Sequence, residues 1–152
     1  MSIHAPPSPA KEFAFALSDV ARLLRTASDQ RARLLNMTRA QWAVLSRLQR
    51  CEGAKQSELA EGLDLAPISL ARLIDKLCDL GLVERRDDPT DRRANRLYLT
   101  GKAAPTLKEL GALGEDLMAM ALAGVDAKAV AAMTAHLTRV KANLKAELNN
   151  IG

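Results

Sequence analysis

Apolar side chains recur at steps of three and four residues near both ends of the chain: at Phe13, Leu17, Val20, Leu24 and Ala27, and again at Val130, Met133, Leu137, Val140, Leu144, Leu148 and Ile151. That period marks an amphipathic helix, so a long helix is expected at each end. Between them, Thr38 and Gln41 have the spacing of a capping box, in which the hydroxyl accepts from the third helical amide and the Gln side chain reaches back. A second helix is expected from there to about Arg50. The run from Cys51 to Ala54 reads as a turn, followed by a short third helix from Ser57 to Leu63 and a fourth from Pro67 to Leu80. Gly81 is suited to stop that fourth helix in a left-handed conformation.

The period then falls to two. Leu82 to Arg86 and Asn95 to Thr100 read as short strands joined by a charged tip containing Asp88, Pro89, Thr90 and Asp91, which makes a hairpin. Two more helices follow from Thr100, broken at Gly124 to Asp126, where Asp126 is a ready cap. The expected fold is therefore mostly α with a small β-hairpin wing. Residues 1–10 are expected to be a flexible arm, 11–35 an N-terminal dimerisation helix, 36–100 a winged helix-turn-helix domain and 101–152 C-terminal dimerisation helices. The terminal stripes need facing surfaces, and the two helices are expected to pack together and against a second copy.

Composition supports one ordinary core. A chain of 152 residues that is 48% hydrophobic excludes a disordered protein, and its apolar runs stop far short of the roughly 20 residues that cross a bilayer. With no secretory pattern at the start and only two cysteines, a cytoplasmic location is expected. The net charge is +4, and seven arginines between Arg22 and Arg50 face a single acid, Asp29. A second basic knot is Arg92, Arg93 and Arg96. Such a surface suits a polyanion, while 3% aromatic content leaves too few rings for stacking unpaired bases. Duplex DNA remains.

Leu59, Ala60, Leu63, Asp64 and Leu65, followed by Leu70 and Leu73, have helix-turn-helix spacing, with Ala60 at the close approach. Asp64 stands where glycine is commonest and tolerates a left-handed turn. With Leu70, Leu73, Leu77 and Leu80 turned inward, the fourth helix presents Ser69, Arg72 and Lys76, with Ile68 at its leading end. Arg72 suits a guanine edge, Ser69 a base or phosphate, and Ile68 a thymine methyl in a major groove. Arg92 and Arg93 on the hairpin tip suit the narrow minor groove beside it. Asp91 is expected to orient Arg93 through an ion pair.

Asp91, Arg93, Leu97, Leu99 and Thr100, preceded by Gly81 to Arg86, resemble the wing of MarR-type regulators, and Ser69 to Asp75 resembles their recognition helix. The likeness extends upstream through Thr38, Trp42 and Leu45 and covers about residues 11–105, closest to the SlyA-like branch. It implies a homodimer binding palindromic DNA, acting as a repressor that releases DNA when a small phenolic or aromatic acid binds. It also places Trp42, Leu45 and Ser46 at the effector pocket, with Arg22 or Arg25 pairing the acid. The alternative is an architectural DNA-binding protein with the same fold and no small-molecule effector.

Other chemistry finds little support. No G-x-S-x-G or H-E-x-x-H motif is present, so no enzyme is expected. His4 and His136 lack ligand-spaced neighbours, and neither a metal nor another cofactor is expected. Cys51 and Cys78 read as inert thiols, since redox-sensing relatives carry their cysteine in the first helix. Gly111 and Gly114 read as points of close helix approach.

Overall fold

The computed structural model describes residues 6–152. Among them the order is α1 (Pro9–Arg33), α2 (Arg39–Arg50), α3 (Gln56–Gly62), α4 (Pro67–Asp79), β1 (Val83–Asp87), β2 (Asn95–Leu99), α5 (Ala103–Ala121) and α6 (Ala127–Ile151). The fold is mostly α with one β-hairpin, as expected. Of the expected arm, residues 1–5, including His4, lie outside the described residues, and Pro9 and Ala10 are already helical. The helix begins early because Ser8 is its N-cap and Pro9, with φ preset, takes the first helical position.

Local chemistry accounts for the other boundaries. Thr38 and Gln41 form the reciprocal cap: the Gln41 amide donates to Thr38 Oγ1 at 3.1 Å, and the Thr38 amide donates to Gln41 Oε1 at 3.0 Å. Asp64 holds φ at +52°, and the Leu65 amide donates back to the Ala60 carbonyl at 2.9 Å, closing the turn between α3 and α4. Gly81, with φ at +73°, ends the turn after α4. The inward face of α4 differs in part from expectation. Leu70, Ile74 and Leu77 are buried, Leu73 is only partly buried, and Leu80 is 45% exposed. Steps of four and three put Ile74 on the core side, whereas Leu80 is the C-cap, where the chain leaves the helical path.

The chain divides into two compact units, Met1–Gly114 and Glu115–Gly152. In the first, Val44, Leu45 and Leu48 of α2 join Leu59, Leu70, Ile74, Leu77 and Leu97 in one core. Burying each such side chain contributes about 1.5–3 kcal/mol. The hairpin is antiparallel, running from the Val83–Leu99 pair to the Asp87–Asn95 pair. The segment after α2 acts as a short third strand: the Gly53 amide donates to the Leu97 carbonyl at 2.8 Å, and the Leu97 amide donates to the Ala54 carbonyl at 3.1 Å. Along α1 only Ala32 is buried. In the second unit Asp126 caps α6, accepting from the Ala129 amide at 2.7 Å, and no α6 side chain is buried. Among the described residues no helix is long and apolar enough to cross a membrane.

Candidate nucleic-acid interface

The outward face of α4 follows from its inward one. With Leu70, Ile74 and Leu77 in the core, Ile68, Ser69, Arg72 and Lys76 are all exposed. Among the described residues neither Arg72 nor Lys76 takes part in an ion pair, so both cations are free to meet a ligand. Ile68 is 64% exposed, an apolar side chain at the leading end of the helix with nothing covering it.

The five arginines of the wing sort into four roles. Arg85 turns back from β1 to the helices: Nη2 donates to Asp75 Oδ1 at 2.6 Å and Nε to Gln56 Oε1 at 3.1 Å, tying the hairpin to α4 and α3. Arg86 pairs with Glu84 and lies 3.9 Å over the Tyr98 ring. Arg96, grouped with the basic knot on sequence, is instead turned inward. Its Nε donates to Asp88 Oδ2 at 2.7 Å and its Nη1 to the Gly53 carbonyl at 2.8 Å. Only Arg92 and Arg93 stand exposed at the tip without an ion pair among the described residues.

The expected Asp91–Arg93 ion pair is replaced by a backbone contact, in which the Arg93 amide donates to Asp91 Oδ1 at 2.9 Å. A carboxylate two residues before an amide is well placed to accept from it, and that local bond competes with any side-chain partner. The residue that organises the tip is Asp88. Its side chain is fully buried and accepts from the Thr90 hydroxyl at 2.7 Å, the Thr90 amide at 2.8 Å and the Asp91 amide at 3.2 Å. The Thr90 hydroxyl and amide, with Arg96 adding to them, hold its carboxyl down at about 2, from an ordinary 3.8. An Asp before Pro89 and Thr90 is a turn signal that could have singled it out. A groove of about 340 Å³ separates the tip from the starts of α3 and α4, lined by Lys55, Gln56, Ser57, Pro67, Arg93 and Asn95 among others. The sequence pattern had not drawn Lys55, Gln56 or Ser57 to that face.

Residues 37–94, which span α2, α3, α4, β1 and the tip of the hairpin but stop short of β2, match the family model described as MarR family. The whole fold is shared with solved members. A mutant MarR from E. coli, solved in complex with operator DNA, is 25% identical over 88% of this chain and 99% of its own, with a TM-score of 0.75. The transcriptional regulator SlyA is 22% identical over 92% of this chain and 99% of its own, with a TM-score of 0.81. A MarR protein from Peptoclostridium difficile covers all of this chain, at 18% identity and a TM-score of 0.83. Over residues 37–94 the chain is similar to the MarR family, and its fold is that of the solved members. Members of this family are transcriptional regulators and not enzymes.

In this chain the residues assigned to an effector pocket are not brought together as a set. Trp42 and Ser46 share a shallow hollow of about 180 Å³ with Ser28, Arg39 and Ala43. Leu45 is fully buried in the core and does not line the hollow. Arg22 and Arg25 do not line the hollow either. Arg22 pairs with Asp19 at 3.4 Å, and the cation at the rim is Arg39, itself 3.3 Å from Asp29. Gly114 fits the expectation of close approach, since a Cβ there would lie 3.3 Å from Trp42 Cζ2; at Gly111 nothing lies within 4 Å. Cys51 and Cys78 are free and partly buried. Burial pushes the Cys78 thiol up, with Arg85 partly offsetting it.

Proposed function

We propose that this chain is a sequence-specific, double-stranded-DNA-binding transcriptional regulator that works as a homodimer in the cytoplasm. The observation that carries the reading is the pairing of two free basic surfaces. Ile68, Ser69, Arg72 and Lys76 are exposed on α4, and Arg92 and Arg93 stand at the wing tip. A helix of this kind reads base edges in a major groove, and arginines on a thin ribbon enter the adjacent minor groove. Lys55 and Ser57, across the groove from Arg93, are placed to meet the phosphates between. That the E. coli relative is solved in complex with operator DNA supports the DNA-binding reading.

Dimerisation is supported by the uncovered stripes on both terminal helices. Phe13, Phe15, Val20 and Leu23 on α1 and Leu144, Leu148 and Ile151 on α6 are each at least 47% exposed, a display that a lone chain in water would not favour. A dimer also supplies two reading helices about 34 Å apart, one turn of DNA. Selection of bound fragments from random duplexes tests the whole reading. A palindrome with half-sites one turn apart is expected, and recovery of no common sequence would leave the architectural alternative in its place.

The finer reading is a repressor released by a small phenolic or aromatic acid. The Trp42 hollow supports it, with Arg39 replacing Arg22 and Arg25 as the cation for the acid. At about 180 Å³ the hollow is smaller than the usual pocket of roughly 300–1,000 Å³, which limits the ligand to about one ring. Titration with salicylate-like acids should change Trp42 fluorescence and release DNA together. Neither change at millimolar ligand removes this part of the proposal.

A further inference from the structure

The hairpin is held to the body at its root by several independent contacts. Leu97 and Val83 are in the core, the Thr100 hydroxyl donates to the Gly81 carbonyl at 2.5 Å, and Arg85 reaches Asp75 and Gln56. The far end is different. Beyond the last ladder pair, Asp87 with Asn95, the Asp88 amide donates to the Ala94 carbonyl and the Ala94 amide to the Asp91 carbonyl, each at 3.1 Å, and the Arg93 amide donates to Asp91 Oδ1; the side chains that tie this turn to the rest of the domain are one buried carboxylate and one guanidinium. Asp88 gathers the amides of Thr90 and Asp91 into the turn that precedes Arg92 and Arg93, and Arg96 links that carboxylate to the Gly53 carbonyl after α2. Arg96 therefore sets how far the tip stands from the α2 loop, and Asp88 sets which way the tip arginines leave the backbone.

We propose that Asp88 and Arg96 are positioning residues for DNA recognition, aiming Arg92 and Arg93 without themselves touching DNA, so that preference at the base pairs flanking each half-site depends on a pair facing the protein interior. The inference rests on the DNA-binding reading above. Its physical basis is that a fully buried carboxylate with four donors has one geometry, whereas a ribbon tip without it has many, and ordering those at each binding event weakens binding.

The test uses the full chain, its selected duplex, and duplexes altered only at the flanks from A·T to G·C. Asp88→Ala is expected to weaken binding to the selected duplex by a factor within about twofold of that caused by Arg93→Ala. It should also erase the flank preference, leave the preference at the Arg72 base pair intact, and add little when combined with Arg93→Ala. Arg96→Met should behave likewise, and Arg96→Lys should recover part of the loss, since Lys can still serve one of the two acceptors. Should Asp88→Ala not fold, Thr90→Val, which removes one donor to the carboxylate, gives the same flank readout at smaller amplitude. Full additivity of Asp88→Ala with Arg93→Ala, or a retained flank preference in Arg96→Met, overturns the proposal while leaving the DNA-binding reading standing. A wild-type chain that selects no duplex overturns that reading instead, and the present inference with it.

Discussion

At the scale of single residues, charge alone misleads, because an arginine's role depends on which carboxylate or carbonyl the fold brings within reach. Arg92 and Arg96 look alike in sequence, yet one stands free at the tip and the other is spent on Asp88 and Gly53. Removing Arg72 should cost about 1–3 kcal/mol and relax discrimination at one base pair, whereas Arg92→Ala should weaken binding equally whatever base pair faces Arg72 and lower the salt slope by about one. Binding isotherms at several salt concentrations, on matched and mismatched duplexes, separate the two effects. The Asp88 carboxyl titrates at about 2 in the folded chain against an ordinary 3.8, so its contribution is complete above the ordinary value and is lost as pH falls through about 2. The Thr90 and Asp91 amides should therefore keep their hydrogen-exchange protection down to about pH 4 and lose it towards pH 2. Loss of protection near neutral pH would contradict that assignment. Cys78, its thiol raised chiefly by burial, should be alkylated more slowly at pH 7 than a free cysteine, as mass spectrometry of the modified peptide would show.

Elements were more legible than residues, because caps and turns are written in adjacent side chains. The Thr38 and Gln41 cap, the Asp126 cap and the left-handed Asp64 and Gly81 all depend on interactions within a few residues of one another, and the two strands on alternation within each. Thr38→Ala should cost about 1 kcal/mol, measured by denaturant unfolding, since it leaves the Gln41 amide without its acceptor. Asp64→Gly should be stabilising or neutral, because a left-handed conformation costs an ordinary side chain about 1–2 kcal/mol that glycine avoids. A marked loss of stability in that variant would mean that the Asp64 side chain matters in its own right. Gly114→Ala adds a methyl 3.3 Å from the Trp42 ring and should shift the tryptophan emission before it affects DNA binding. The start of α1 was misplaced for the same local reason that makes other boundaries readable: Ser8 and Pro9 form a helix start whose capping geometry outweighs the proline-rich look of the segment.

At the scale of the molecule, α1 and α6 are each 25 residues long and leave much of an apolar stripe exposed, which the proposed dimer would cover. Sedimentation of the free protein should give a dimer, and substitution of Leu144 and Leu148 by Glu should shift it towards monomer and abolish tight binding to the palindrome. A stable, fully active monomer would remove the symmetric reading. The order of helices, the hairpin and the outward face of α4 were determined by the sequence itself, because periodicity and short-range capping decide which side of each element is apolar. Tertiary structure alone decided that Ile74 and not Leu80 completes the α4 core face, that Leu45 is shut away from the Trp42 hollow, and that Asp88 rather than Asp91 governs the wing. Those outcomes depend on where a helix ends and on partners as far apart in the chain as Gly53 and Arg96, distances over which no local pattern carries information.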